Sequence, residues 1–121
     1  MLTRKNLIEF CMTFPDAYED YPFDGDSLAP DAWTVMRHCG NKKSFALLFE
    51  RHGCLNLNVK CAPDEARFLR GVYASVVPAY HMNKEHWNGV ILDGSVPERE
   101  IRMWISQSYD LTKPGRKPKS S

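Results

Sequence analysis

Two histidines, an asparagine, a lysine and a tryptophan fall within the stretch HMNKEHW at residues 81–87. Imidazole, amide and ammonium groups donate hydrogen bonds to phosphate oxygens and base edges, and an indole offers a face on which a base stacks. These side chains form a candidate nucleic-acid surface: His81, Asn83, Lys84, His86 and Trp87. The alternative is a structural connection, with Tyr80 and Trp87 in the core, residues 82–84 in a turn and both imidazoles at the rim.

The same histidines, beside Tyr80 and Asp93, have the chemistry of a general acid and base, because an unperturbed imidazole titrates at about pH 6.5. No organised catalytic set accompanies them, since the sequence contains no G-x-S-x-G, no P-loop and no H-E-x-x-H. Ser108 and Tyr109 are interpreted as packing and capping groups rather than as a nucleophile and its partner. We therefore expect a protein that is not an enzyme, with no catalytic residue and no cofactor.

Four cysteines raise the question of disulfides or metal: Cys11, Cys39, Cys54 and Cys61. They include no CxxC pair, and the hydrophobic content is sufficient for a core, so reduced thiols are expected. His38 beside Cys39, and His52 two residues before Cys54, would suit a soft divalent metal. The spacing fits no zinc knuckle or ribbon, so no metal site is predicted and the cysteines are interpreted as small apolar groups.

Charge is unevenly distributed along the chain although the net charge is only +1. Residues 1–31 contain seven acids against two bases, residues 37–91 contain eight Lys or Arg against four acids, and the end of the chain, LTKPGRKPKSS, holds four bases and no acid. This pattern permits a basic face for double-stranded DNA. The bases expected at hairpin positions join the candidate phosphate-contacting set: Arg37, Lys42, Lys43 and Arg51.

The segment at residues 16–30 is rich in acids and turn formers, which predicts a long connection with a short extended piece at residues 18–23. Its DGD at residues 24–26 is like a fragment of a calcium loop but lacks the remaining ligands, so a solvated acidic loop is expected. Acids there would repel phosphate unless they are directed away from it.

The elements that must position these side chains follow from periodicity. Thr3 is a predicted N-cap for a helix over residues 4–13. Strands are predicted at residues 32–38, 44–51 and 54–60, in an antiparallel meander. In the third strand Asn56 and Asn58 alternate with apolar residues, which predicts one polar sheet face.

The second half predicts two helices and two more strands. Pro63 begins a short helix that Gly71 ends. Two extended runs follow, and Pro78 restricts the first of them to a sheet edge or a break. Ser95 is predicted to cap a last helix that starts at Pro97.

This order predicts an α+β fold, an antiparallel sheet with helices packed on one face. The predicted domain covers residues 1–112, followed by a basic, disordered tail at residues 113–121. No apolar run is long enough to cross a membrane and no secretory signal begins the chain, so we expect a cytoplasmic protein. The sequence does not fix the oligomeric state, and a monomer is the simpler expectation.

Several stretches closely resemble the MmcQ/YjbR family of small bacterial proteins: FPDAYEDYPF, NKKSFALLFE, RFLRGVYASVVPA, YHMNKEHWNGVILDG and VPEREIRMWISQSYDLT. The resemblance implies a CyaY-like (frataxin-like) two-layer sandwich described as a double wing, with DNA binding proposed chiefly from that shape. The family's HxNKxHW pattern falls on the candidate residues between His81 and Trp87, and the hairpin at residues 40–45 would be one wing. Frataxin-like topology also raises the question of iron binding, for which paired acids on the first helix are expected. Here the first helix carries only Glu9, so no iron site is predicted.

Two functions remain as alternatives. In the first, the basic hairpin and the HMNKEHW stretch contact the phosphates of double-stranded DNA. In the second, a polar pocket around His81, Asn83, His86 and Trp87 makes the protein a non-enzymatic module for a protein partner or a small anionic ligand.

Overall fold

The structure, a computed structural model, describes residues 2–22 and 32–115 and gives three helices and six strands within them. In chain order the elements are α1 Arg4–Cys11, β1 Ala17–Asp20, β2 Thr34–His38, β3 Ser44–Arg51, β4 Cys54–Lys60, α2 Pro63–Val72, β5 Val76–Pro78, β6 Trp87–Ile91 and α3 Glu98–Thr112. The predicted calcium-like DGD, at residues 24–26, lies outside the described residues, as does most of the predicted tail.

Helix α1 begins where the sequence predicts. The Thr3 hydroxyl accepts from the Asn6 backbone N–H at 3.1 Å, and the Asn6 side chain accepts from the Thr3 N–H at 3.3 Å, which forms a capping box. The helix ends at Cys11, two residues before the predicted end, because the Thr13 N–H turns to the Phe10 carbonyl ahead of Pro15.

The six strands form one antiparallel sheet in the order β1-β2-β3-β4-β6-β5. The predicted meander is confirmed, and β3 and β4 have the predicted bounds. In place of the extended piece predicted at residues 18–23, the structure has a strand at Ala17–Asp20 at one edge of the sheet, with Ala17 opposite His38. Strand β5 lies at the other edge and ends at Pro78, as expected for a residue that cannot donate a ladder hydrogen bond.

All three helices pack on the same face of the sheet, which confirms the predicted two-layer arrangement. Leu7 of α1, Leu69 of α2 and Trp104 of α3 join one cluster with buried strand residues such as Leu48 and Leu57. Ser108 helps to fix α3 on the sheet, since its hydroxyl donates to the Phe45 carbonyl at 2.7 Å and accepts from the Lys60 N–H at 2.8 Å. We call this side the helix face and the opposite side the open face.

The open face is less polar than the sequence predicts. Asn56 and Asn58 do point away from the helices, as the two-residue period requires, but Asn58 is completely buried. The connection between β5 and β6 folds back over this face at residues 79–86, which we call the crossing segment. It covers a second, small apolar cluster of Val35, Leu47, Ala79 and Trp87. The predicted direction of Asn56 and Asn58 is correct, but the sequence did not predict their burial, because a local period does not reveal which loop covers a sheet.

Two predicted helix boundaries were also wrong. Helix α2 continues through Gly71 to Val72, and the Tyr73 N–H still donates to the Leu69 carbonyl at 3.0 Å. Helix α3 has Pro97 at its N-cap without a side-chain hydrogen bond. Ser95 bonds backward to Asp93 instead, at 2.7 Å through its hydroxyl. An Asx-type turn therefore competes successfully for the serine that the sequence assigns to a cap.

Candidate nucleic-acid interface

Arg70 of α2 bonds to the crossing segment and to the start of β6. The Arg70 guanidinium donates to the Asn88 side-chain oxygen at 2.7 Å, to the Trp87 carbonyl at 3.2 Å and to the Lys84 carbonyl. Trp87 itself is only 9% exposed and packs in the small cluster of the open face. Its indole is thus a packing anchor in this structure, and it offers no surface on which a base could stack.

Two of the candidate phosphate ligands fold the segment on itself. The Asn83 side-chain oxygen accepts from the N–H groups of Glu85 and His86 at 2.9 and 3.3 Å. The Lys84 ammonium donates to the Ala79 carbonyl at 3.1 Å, although the residue remains exposed. These bonds close a tight loop and leave Lys84 with two further N–H donors for another partner.

The beginning of the segment builds an aromatic stack with a cation at its edge. Tyr80 lies 4.0 Å from His81 between ring centroids, and Trp33 stacks on Phe49 at 4.1 Å. The Arg51 guanidinium lies 3.9 Å from the Tyr80 ring centroid, which is cation–π geometry. Asn58 holds this arrangement from below, because its amide N–H donates to the Tyr80 carbonyl at 3.0 Å.

The hairpin cations divide between the two ends of β3. Arg37 is held in place by Asp20, 2.8 Å away, and by the Lys42 carbonyl. Lys42 and Lys43 are exposed in the β2–β3 turn, and no acid in the described part of the chain pairs with either ammonium. Arg51 lies at the far end of the strand, about 25 Å from Lys43 at the usual rise per residue.

The predicted site residues therefore fall into three groups rather than one patch. The β2–β3 turn brings together Arg37, Lys42 and Lys43, and Tyr80 brings together Arg51 and His81. The third group is the rest of the crossing segment: Asn83, Lys84, His86 and Trp87. All three border the open face, and His81 and His86 are exposed there.

Left-handed backbone is concentrated among these groups. Lys42, His52 and His81 have φ angles of 62°, 55° and 65°, and Asp16 is the fourth such non-glycine residue in the described part of the chain. This conformation is unfavourable for residues with a Cβ and persists only where the surroundings enforce it. The two hairpin turns and the crossing segment thus hold cationic or imidazole side chains on strained backbone.

The charges of the molecule are segregated by face. The ionisable Lys, Arg, Asp and Glu residues of the open face, its two hairpin turns and the crossing segment comprise six cations and two acids: Arg37, Lys42, Lys43, Arg51, Lys60, Lys84, Asp20 and Glu85. The rest of the described chain has seven cations against ten acids. Asp24, Asp26 and Asp31 lie outside the described residues.

Sequence reasoning missed Arg70 and the buried position of Asn58. Arg70 lies next to Leu69 and one turn after Ala66, two buried residues of α2, so helical periodicity alone would have placed it beside the core. Asn58 has no comparable signal, because its partner is a backbone carbonyl of a loop distant in sequence.

The remaining reactive groups are mostly occupied or buried. Hydrogen bonds from Ser95 and Ser75 lower the pKa of Asp93 to about 2, and its bonding partners are these serines rather than His81 or His86. Burial raises the pKa of the Cys11 thiol to about 12 and that of Cys61 to about 11, and all four cysteines are free. Within residues 2–22 and 32–115, no three His, Cys, Asp or Glu side chains converge as metal ligands.

None of the helices in the described residues is both long enough and apolar enough to cross a bilayer.

The chain is similar to several known proteins over most of its length. A family model described as YjbR matches residues 12–111. Bacillus subtilis YyaQ is 34% identical over 123 residues, covering 93% of this chain and 100% of the relative. Escherichia coli K12 YjbR is 30% identical over 108 residues, covering 89% and 85%. Both relatives are called uncharacterized proteins, so their likeness brings no named activity.

Solved structures show the same architecture. Deinococcus radiodurans protein DR2400, with a DUF419 domain, has a TM-score of 0.82 at 32% identity, over 97% of this chain and 83% of that one. A Pseudomonas syringae protein has a TM-score of 0.76 at 30% identity, over 92% and 99%. These structures support the α+β sandwich that the sequence predicts.

Proposed function

The chain belongs to the YjbR family, and from that premise we propose that it is a non-enzymatic DNA-binding protein whose open face and hairpin turns contact the phosphates of a duplex. The observation that supports this best is the segregation of charge between the two faces of the sheet. A protein with a net charge of only +1 attracts a polyanion only if its cations share one side.

The spacing of the cations favours contacts that span a groove. Lys42 and Lys43 are about 25 Å from Arg51 along β3, whereas the major groove of B-DNA is about 12 Å wide. Because this separation is about twice the groove width, the two hairpin turns would contact phosphates of separate backbone segments that lie beyond the two edges of one groove. This agrees with the double-wing arrangement that the family resemblance implies.

The chemistry of these contacts favours affinity over sequence readout. Lysine ammonium groups contact phosphates without regard to sequence, and the buried indole of Trp87 is not presented to a base. His81 and His86 are the exposed candidates for contacts to base edges. We expect binding that is weakly selective and strongly dependent on salt.

Fluorescence anisotropy with a labelled mixed-sequence duplex, titrated at several salt concentrations, tests this proposal. The logarithm of the association constant should fall linearly with the logarithm of salt concentration. Replacing Lys42 and Lys43 together by alanine should reduce the slope by about 0.9 for each lost phosphate contact.

A matched control removes the same charge from the other face. Lys5→Ala combined with Arg99→Ala changes two exposed helix residues and lowers the net charge equally. It should leave the slope close to that of the unmodified protein. Binding that ignores salt, or equal effects of the two double variants, would show that the open face is not a DNA surface.

A second function is favoured by a separate observation, a concavity on the open face beside Tyr80. The polar residues that the sequence predicts around a ligand pocket do not line it: His81, Asn83, His86 and Trp87. The cavity nevertheless supports the alternative of a small anionic-ligand module at a different position, next to Arg51.

A further inference from the structure

The concavity is a trough of about 210 Å³ on the open face, between the end of the β3–β4 hairpin and the β5 edge of the sheet. Phe49, Arg51 and Tyr80 line one side, and Val77 and Pro78 line the other. A volume of this size accommodates a small organic molecule rather than a helix or a peptide strand.

The floor of the trough exists because Gly89 has no side chain. Gly89 lies opposite Asn58 in the sheet, and the Asn58 amide occupies the space above it. A Cβ at position 89 would lie 3.1 Å from the Asn58 side-chain oxygen and 3.5 Å from Val77 Cγ2. Any larger residue would therefore displace the Asn58 amide and fill the floor.

One end of the trough is cationic and the remainder is mostly apolar. The Arg51 guanidinium carbon lies over the Tyr80 ring, 3.9 Å from its centroid, and the guanidinium N–H groups are the donors that a ligand could use. No carboxylate in the described part of the chain forms an ion pair with Arg51. His52 lies next to it on the tight turn, and the aliphatic groups of Val77, Pro78 and Ile91 form the apolar part.

We propose that this trough binds a small amphipathic carboxylate, with its carboxylate on Arg51 and its apolar body along Val77 and Ile91. A guanidinium presents two parallel N–H groups in the geometry that a carboxylate accepts, and the contact with Tyr80 restricts the positions that the Arg51 side chain can take. Burial of an alkyl chain against the aliphatic wall contributes the remaining affinity. This site shares Arg51 with the proposed DNA surface, but its apolar lining lies outside that surface, and the site does not depend on DNA binding.

The aromatic rings argue against a stacked nucleobase as the ligand. Arg51 and His81 both lie against Tyr80, at 3.9 and 4.0 Å from its ring centroid. Phe49 is stacked on Trp33 at 4.1 Å. Tyr80 thus already has a cation and an imidazole against it, which suits packing against an alkyl chain better than stacking on a flat base that needs a free ring face.

Cys54 lines the trough and provides a built-in reporter of occupancy. It is half-buried, whereas Cys39 is exposed, and Cys11 and Cys61 are buried with raised thiol pKa values. In a Cys39→Ser background, Cys54 is the most accessible of the remaining thiols. A bound molecule should shield it from a neutral thiol reagent such as iodoacetamide.

The test measures the alkylation rate of Cys54 in the full-length Cys39→Ser protein, with octanoate or with the matched neutral compound octanol. Octanoate should slow the alkylation to a saturable limit, and octanol should require about fivefold higher concentration because it lacks the charge for Arg51. Arg51→Gln should remove the preference for octanoate over octanol.

Val77→Phe provides an uncharged second variant, because the larger side chain fills the trough without altering the cations. It should abolish protection of Cys54 while leaving the salt dependence of DNA binding unchanged. Failure of octanoate to protect Cys54 at any concentration would overturn the site, as would equal protection by octanol that persists in Arg51→Gln.

Discussion

The two faces of the sheet are closed in different ways. Three helices cover the helix face and bury one continuous apolar core, to which α1, α2 and α3 all contribute. The open face has a smaller apolar cluster at the crossing segment, residues 79–86, formed by Val35, Leu47, Ala79 and Trp87. The helix face therefore provides most of the stability. The open face contributes less to stability and contains exposed cations and a concavity.

Left-handed backbone conformations also distinguish the open face from the helix face. Lys42, His52 and His81 have left-handed φ angles in the two hairpin turns and the crossing segment. Strained backbone of this kind is typical of binding surfaces, where the side chain is selected for what it contacts and not for its turn propensity. The comparison implies that mutations on the helix face should affect stability more, and mutations on the open face should affect binding more.

The sharpest test of that difference uses adjacent leucines on β3. Leu48 points into the helix-face core and Leu47 into the small cluster, and both are nearly inaccessible to solvent. Leu48→Ala should lower the free energy of unfolding by about 4 kcal/mol, and Leu47→Ala by about 2 kcal/mol, because the crossing segment can collapse into the smaller gap. Denaturant unfolding measures both values. Equal losses would mean that the two faces are packed equally rigidly.

The next largest loss of stability is expected at Arg70, which connects α2 on the helix face to residues at the crossing segment. Arg70→Ala removes the guanidinium that holds Asn88, Trp87 and Lys84, and hydrogen bonds from a charged donor contribute most when they are partly buried. We expect a loss of about 2 to 3 kcal/mol and faster amide exchange in the crossing segment.

Arg67→Ala is the control for this change, one turn earlier on α2. Its exposed pair with Asp64 should contribute less than about 1 kcal/mol. If amide exchange in residues 79–86 responds equally to both variants, Arg70 is not the residue that attaches the segment.

Sequence patterns predicted the features that depend on local rules better than those that depend on contacts between distant segments. The Thr3 cap, the bounds of β3 and β4 and the edge position of Pro78 depend on local rules, and all were confirmed. The burial of Asn58 depends on residues 79–86 returning across the sheet, and no local period encodes such a return.

At the candidate site, too, the sequence predicted local features but not contacts between distant segments. Residue types identified the cations of the two hairpins, since Lys and Arg at turn positions are exposed in most folds. The sequence could not show that Arg37 is paired with Asp20, that Trp87 is buried, or that Arg51 stacks on Tyr80. Each of these facts depends on strand register or on a contact between distant segments.

Acidic pH should lower the stability of the folded protein, because His38 is buried on the helix face. The Thr112 hydroxyl donates to the Ser108 carbonyl at 2.8 Å, so it accepts from His38 Nε2–H, also at 2.8 Å, while His38 Nδ1 is buried without a partner. Burial lowers the pKa of His38, and the positive charge of Lys113 adds to this effect.

The unfolded chain therefore binds this proton more readily than the folded protein does. Stability should be complete above about pH 6.5 and should fall on acidification, with a slope of at most about 1.4 kcal/mol per pH unit. Thermal unfolding between neutral and mildly acidic pH measures it. His38→Gln should remove this part of the pH dependence, whereas His52→Gln, at an exposed turn of the open face, should retain it. A pH profile unchanged by His38→Gln would contradict the assignment.

The smallest expected effect is at Lys42, where two substitutions distinguish the contribution of backbone strain from that of charge. Lys42→Gly and Lys42→Ala both remove the ammonium, but only glycine adopts the φ of 62° without steric cost. Glycine should raise the free energy of unfolding relative to alanine by about 0.5 kcal/mol, since its greater freedom in the unfolded chain offsets part of the relief. Both variants should lose about 0.9 from the salt slope of DNA binding. If alanine proves as stable as glycine, the turn is not strained, and the left-handed cations of the open face are ordinary turn residues.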